Sequence, residues 1–245
     1  MEDNTMKIDF HSHILPKIDD GSRSIEESVE LLDMMAEDGV DIVCATPHFY
    51  SHKISIDGFI NRRNEAYETL KPYIKPEHPK ILLGAEVLYN HSLISCEDIN
   101  KLCLEGTDYL LWEMPYTKIT SGIVDDTEML AGSNKIKLMI AHIERYLNFT
   151  SYDELASLMS LDVIGQINAV SLTRFSGRRL CKKLFADSFV YILGTDYHRP
   201  SSDHVLLGEA ENILKKKFDE RMIGRIAENG SKILENKPIY DLKAL

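Results

Sequence analysis

The residues of this 245-residue chain that could do chemistry stand in short clusters. "DFHSHILPKIDDG" places His11 and His13 two positions apart and then Asp20, the second acid of an Asp19-Asp20-Gly21 turn. "GTDYH" repeats the spacing with Asp196 and His198, and between the two lie His48 in "ATPHFY", Glu86 in "GAEV", Glu113 in "LLWEMP" and His142 in "AHIERY". In an extended chain residues i and i+2 point to the same side, so each pair can grip one ion. Five imidazoles and four carboxylates without a thiolate suit Mn, Fe or Zn. Nine donors exceed what one divalent ion accepts, so two or three ions are expected. Three divalent cations against four carboxylates leave a site of roughly +2, which attracts a phosphate dianion. Paired metals are a known solution for phosphoester cleavage.

Such residues need elements that bring them together. Apolar β-type runs alternate with amphipathic helical segments, and strands are expected at 6–10, 41–45, 81–85, 109–112, 138–141, 163–167 and 190–193. Ser24 with Glu27 reads as a capping box, followed by an apolar stripe of Ile25, Val29, Leu32 and Met35 that Gly39 ends. A second helix has Tyr67 and Leu70 inward before Pro72, and further helices are expected at 97–104, 153–159, 178–186, 208–216 and 218–229. The tail from 229 is expected to pack loosely or to cap the domain.

Strands that are apolar throughout and separated by helices imply a parallel sheet covered on both faces. Six of the seven end in a metal-competent side chain, and the sixth runs into Gln166-Ile167-Asn168. A closed barrel gathers its strand C-termini at one mouth, whereas an open sheet spreads them along a line. The expected fold is therefore α/β, a distorted seven-stranded TIM-like barrel, in a single domain over residues 1–245.

The formal charge of −11 argues against nucleic acid as a partner, since backbone-tracking binders draw affinity from clustered Lys and Arg. No apolar run approaches the roughly 20 residues that span a bilayer, and the N-terminus lacks the regions of a signal peptide. A cytoplasmic protein without membrane insertion is expected. Cys44, Cys96, Cys103 and Cys181 show no CxxC spacing and read as reduced thiols. A thiol-based tyrosine phosphatase needs Arg six positions after its Cys, and those positions hold Tyr50, Leu102, Tyr109 and Asp187. No GxSxG or P-loop stretch occurs.

Together the quoted segments resemble the PHP (polymerase and histidinol phosphatase) superfamily, and more narrowly the metal-dependent protein tyrosine phosphatases of bacterial capsular and exopolysaccharide operons. The resemblance runs from Lys7 to about His198. It implies a distorted (β/α)7 barrel with a three-metal, usually manganese-dependent, site that hydrolyses phosphotyrosine on a cognate tyrosine kinase. By motif position it implies His11, His13, Glu86 and Asp196 around one metal, Glu86 bridging to a second with Glu113 and His142, and Asp20, His48 and His198 at the third. Arg145 matches an arginine that holds phosphate, and His198 or Asp20, through water, would assist a phenol leaving group whose pKa is about 10. Ile143 stands where the family commonly has Pro, and Asp203 where it commonly has a second arginine, a role Arg199 could take. Two other functions fit the same metals: a small-molecule phosphatase of histidinol-phosphate type, and a non-catalytic metal-stabilised module shielding a kinase's tyrosine tail.

Other residues carry ordinary explanations beside functional ones. His52, His78, His91 and His204 follow no strand end and read as surface histidines. Arg145 could instead pair with Glu144 or another local acid. Trp112, Met114 and Tyr116 could wall a pocket or pack the core, and Tyr50 could stack on an aromatic substrate. Arg62 and Arg63 could meet an acidic substrate segment, but read more simply as a solvated helix face, as do Lys182 and Lys183.

Overall fold

The computed structural model describes residues 6–133, 136–200 and 206–245. Its strands are β1 (Ile8–Ser12), β2 (Ile42–Ala45), β3 (His48–Phe49), β4 (Lys80–Leu83), β5 (Glu86–Leu88), β6 (Tyr109–Glu113), β7 (Lys137–Ile140), β8 (Val163–Asn168) and β9 (Val190–Gly194). All neighbours pair in parallel, in the orders β1-β2-β4 and β3-β5-β6-β7-β8-β9. β3 carries on from β2 past Thr46-Pro47, and β5 from β4 past Gly84-Ala85. The first break follows from Pro47, which has no N–H for a ladder. The second lies beside it, with Gly84 N donating to Ala45 O at 2.9 Å and Glu86 N to Pro47 O at 3.1 Å. At the far edge Asp196 N donates to His11 O and His13 N to Tyr197 O, each at 2.7 Å, and a parallel bridge joins Ser12 to Tyr197. The result is the expected seven-stranded barrel, distorted by two broken strands.

Arg63 corrects the expectation of a solvated face. It is 8% exposed, and its Nη1 donates to Gly84 O at 2.9 Å, satisfying a carbonyl beside the strand break. His78 is likewise no surface histidine: its Nδ1 accepts from Lys75 N at 3.2 Å, so Nε2 donates to Asp33 Oδ1 at 2.8 Å. His52 and His91 are exposed, whereas His204 and Asp203 lie outside the described residues.

The helices are α1 (Ile25–Glu37), α2 (Ile56–Leu70), α3 (Ser121–Ala131), α4 (Tyr152–Met159), α5 (Ala169–Thr173), α6 (Phe175–Ala186), α7 (Leu207–Lys217) and α8 (Arg221–Leu234). Ser24 Oγ caps α1 by accepting from Glu27 N, but the Glu27 carboxylate accepts from Arg23 N rather than from the cap residue. Gly39, at φ +74°, ends the turn as expected. The helix expected at 97–104 is one 3-10 turn, Ile99–Leu102, and α3 has no counterpart among the expected elements.

Alternate strand residues Ile8, Phe10, Ile42, Cys44, Leu82, Tyr109, Leu111, Met139, Ile164 and Ile192 form one inner cluster with Ile233, Ile239 and Leu242 of the tail. The tail thus plugs the barrel floor instead of packing loosely. Asn229 Nδ2 donates to Tyr191 O and Lys243 O at 2.9 and 2.7 Å, and Leu245 N to Val190 O at 2.8 Å. Burying each such Leu or Ile is worth about 1.5–3 kcal/mol. Deleting residues 239–245 is therefore expected to cost about 5 kcal/mol or more, a large share of a typical domain's stability. Thermal denaturation of the truncated protein checks this, and an unchanged midpoint would show the plug to be dispensable.

Candidate metal centre

With the floor sealed, the open end of the barrel is where the strands terminate. In β1 the pairing register shifts between Asp9 and Ser12. Ile8 and Phe10 face the inner cluster, and after the irregularity the inward positions become His11 and His13, as a bulge re-aims side chains. The loop then turns back through Gly21, where a Cβ would lie 2.3 Å from His13 O and 2.5 Å from His13 Cβ. Only glycine permits that approach, which delivers Asp20 to the mouth. His142 and Asp196 sit at φ +28° and +58°, conformations that cost about 1–3 kcal/mol each and concentrate at functional sites.

All nine expected donors meet here. Ligating atoms lie within 4.8 Å of one another in four overlapping groups: His13, Asp20, His48 and His198; His11, Glu86 and His142; His11, His13 and Asp196; and His48, Glu86 and Glu113. Glu86 is central. Its Oε1 lies 2.8 Å from His142 Nε2, and its Oε2 lies 3.3 Å from His11 Nε2, 3.3 Å from His13 Nε2 and 2.8 Å from His48 Nδ1. That oxygen is buried yet satisfies no hydrogen-bond geometry.

The outer partners determine which nitrogens are free. Gln166 Oε1 accepts from His142 N at 2.7 Å, which fixes its amide orientation, so His11 Nδ1, 3.3 Å away, is the donor. His13 Nδ1 donates to Asp19 Oδ2 at 2.7 Å, and His198 Nδ1 donates to the Asp196 carbonyl at 2.9 Å. Each of these rings therefore presents an Nε2 lone pair to the centre, the arrangement that metal-ligating histidines take. His11 Nε2 and His13 Nε2 face each other at 3.2 Å, and a cation is what two converging lone pairs require. The residues present fit divalent ions on this ground. The tautomer of His198 also suits ligation better than proton donation.

Burial opposes ionisation of Glu86 and Asp196, but positive charge on the facing imidazoles, His11 first, outweighs it and holds both carboxyls well below the usual range; a divalent ion between the Nε2 atoms would supply that charge in its place. Glu113 is pushed up by burial and by its neighbour Glu86. Arg145 Nη2 binds Asp196 Oδ2 at 2.7 Å. Burial works against its charge, yet Asp196 and the Tyr116 hydroxyl outweigh that and keep the guanidinium protonated. Its local acid is thus Asp196, not Glu144, whose Oε1 instead accepts from Asn168 N and Ser171 Oγ. Arg199 Nη2 donates to Asp20 O at 2.9 Å.

Four polar residues escaped the sequence reading. Asp19 holds His13 and also accepts from His48 N at 2.9 Å. Asp9, pushed up to about 6 by burial, accepts from Thr195 N at 2.9 Å and ties β1 to the loop after β9. Gln166 and Asn168 of the exceptional sixth strand link the shell: Gln166 Nε2 donates to Asn168 Oδ1, and Asn168 Nδ2 to Asp196 Oδ2, each at 2.8 Å. The signal was available, because amides at a strand end where every other strand carries a ligand are the natural supports of those ligands. Trp112 and Met114 are core residues, fully buried. Tyr116 stays at the mouth, stacked on His142 with ring centroids 6.0 Å apart.

Gly194 gives a test of this packing. A Cβ there would lie 2.6 Å from His11 Cβ and 2.8 Å from Gln166 Nε2. Gly194→Ala is expected to weaken metal affinity by about 10–100-fold, the usual effect of disturbing a supporting shell. Metal titration by calorimetry checks it, and wild-type affinity would mean that Gln166 does not orient His11.

The family described as "Capsular polysaccharide synthesis, CpsB/CapC" matches residues 7–235. Tyrosine-protein phosphatase YwqE of Bacillus subtilis is 26% identical over 242 residues, covering 95% of this chain and 93% of that protein. Tyrosine-protein phosphatase CpsB of Streptococcus pneumoniae is 27% identical over 255 residues, covering 95% and 100%. Among solved structures, a chain from the work on YwqE and CpsB, described as unique metal-dependent tyrosine phosphatases, superposes with a TM-score of 0.76 at 20% identity, covering 97% of this chain and 99% of that one. A mutant organophosphorus hydrolase superposes with a TM-score of 0.54 at 12% identity, covering 94% and 93%. These superpositions speak for the fold.

Proposed function

Because this chain belongs to the capsular polysaccharide synthesis CpsB/CapC family, we propose that it is a metal-dependent protein-tyrosine phosphatase, acting on a tyrosine kinase that regulates capsular or exopolysaccharide synthesis. The observation that carries the reading is the convergence of nine donors at one barrel mouth, with Nε2 lone pairs aimed inward. The protein would work as one cytoplasmic metallophosphatase domain, and no helix of the described residues is long and apolar enough to cross a membrane.

His11, His13, Glu86 and Asp196 would hold one divalent ion, Glu86, Glu113 and His142 a second, and Asp20, His48 and His198 a third, with Mn the first choice and Fe or Zn also suited. When bound, such ions supply Lewis-acid polarisation of phosphoryl oxygens and lower the pKa of water, so no protein nucleophile is needed. The chain's own residues then bind and orient. Arg145, 41% exposed at its side chain, offers the N–H groups not engaged by Asp196 to the equatorial phosphoryl oxygens. Asn168 and Arg145 both hold Asp196 Oδ2, which leaves Oδ1 to face His11 and His13. Tyr116 presents a ring face beside His142 against which an aryl group can lie. Asp20, 67% exposed at its side chain, is the acid best placed to pass a proton through water to the leaving phenolate.

Hydrolysis of p-nitrophenyl phosphate is expected to cease with EDTA and to return with Mn. Turnover that ignores the chelator would sink the reading, and faster hydrolysis of histidinol phosphate than of a phosphotyrosine peptide would redirect it to a small-molecule substrate.

A further inference from the structure

Beside the centre a cavity of about 360 Å³ opens between the loop after β1 and the first turns of α2, with His48 and Asp20 among the residues that line it. Its volume lies in the range of small-ligand sites. Tyr50 and Phe59 supply aromatic lining, and Tyr50 continues the wall of the centre by stacking on His48 at 5.3 Å. Lys53 and Arg62 also line it, and both are exposed.

These two cations are locally uncompensated. Lys53 Nζ lies 4.1 Å over the Tyr50 ring, and Arg62 Nη2 donates to the Ile18 carbonyl at 3.3 Å. Neither has an acidic partner among the described residues. The two acids of the same cavity are turned toward the metal centre and pair with neither cation: Asp19 is held by His13 and His48 N, and Asp20 lies 3.5 Å from both His48 and His198. In a chain of formal charge −11, a pair of free cations at the lip of the centre is a departure that calls for an anionic occupant.

We propose that this cavity is the subsite for the residue adjoining the phosphotyrosine and that it selects an acidic side chain there. The carboxylate meets Lys53 and Arg62, and its aliphatic stem packs on Tyr50 and Phe59. The inference rests on the phosphatase reading and adds the sequence context of the substrate. Exposed charge pairs contribute modestly and are screened by salt, so the selection is a preference and not an absolute requirement.

The test compares two phosphotyrosine peptides, with Glu or with Lys flanking the phosphotyrosine, alongside p-nitrophenyl phosphate, on wild type, on the double variant Lys53→Glu/Arg62→Glu and on the milder Lys53→Gln/Arg62→Gln. Wild type is expected to favour the Glu peptide by about tenfold in kcat/KM, less at high salt. The Gln pair should abolish the preference and the Glu pair invert it, while p-nitrophenyl phosphate turnover stays unchanged in both. Equal turnover of the two peptides by wild type, or a preference that survives both variants, overturns this inference alone. Failure of wild type to hydrolyse any of the three substrates overturns the phosphatase reading and this subsite with it.

Discussion

Glu86→Gln is expected to lower kcat/KM for an aryl phosphate by at least about 10³-fold, roughly 4 kcal/mol of transition-state stabilisation, and to reduce the metal content of the purified protein. The substitution keeps the volume of the side chain, so the far-UV spectrum should not change. What it removes is the carboxylate assigned to two of the proposed ions at once. Glu86 Oε1 lies 2.8 Å from His142 Nε2, and Oε2 lies 2.8 Å from His48 Nδ1 and 3.3 Å from both His11 and His13 Nε2. An amide places two N–H donors where lone pairs must converge, and it carries no charge to offset the ions. Elemental analysis alongside steady-state kinetics reads both effects. A variant with full metal content and full activity would remove Glu86 from the bridging position.

Arg145→Ala should cost about 10²–10³-fold in kcat/KM, the loss typical of a single group that stabilises charge developing in the transition state. Metal content should survive. The two readouts separate the role of Arg145 from that of a ligand, because Asp196 Oδ2 keeps its bond from Asn168 Nδ2 at 2.8 Å when the guanidinium is gone. Arg145→Lys should recover only part of the activity, since an ammonium restores charge but not the planar fork that grips two phosphoryl oxygens. If Arg145→Ala lost metal and activity together, its contact with Asp196 at 2.7 Å would be its function, and phosphate binding would need another group.

The donor set was legible because its chemistry is local. Two pairs of donors two apart, each at the end of an apolar run, point to ligation more strongly than either pair alone, and the alternation of strands with helices then implies a barrel that brings those ends together. The elements expected at 153–159 and 208–216 match α4 and α7 to within a residue, since both have strong apolar periodicity and clear ends. α3 was missed because Gly122, Thr127 and two aspartates dilute its helical signal, and its fully buried residues are only Thr127 and Leu130, with Ile123, Val124 and Ala131 partly buried against the core. For the tail, which the structure shows capping the barrel, the sequence left loose packing open for a related reason. Ile239, Leu242 and Leu245 are spaced in threes with only a single 3-10 turn, Ile239–Asp241, to carry them, and nothing local says that a barrel floor awaits them.

Residue types and their order along the chain were enough to name the nine candidate donors and the parallel barrel, because those follow from spacing and from which strand each donor follows, while the class of reaction came with the charge of the donor set and the family resemblance. Supporting roles were not decided at that level. That Gln166 orients His11, that Arg63 satisfies a strand break and that Arg145 pairs with Asp196 all depend on contacts between segments remote in sequence, and that Asp19 turns to His13 while Asp20 faces the mouth depends on the close approach of the loop at Gly21. A side chain's partner across the barrel is set by strand register, by a bulge in β1 and by two residues at positive φ. Such geometry arises from packing the whole chain at once, and no local stretch of residues encodes it.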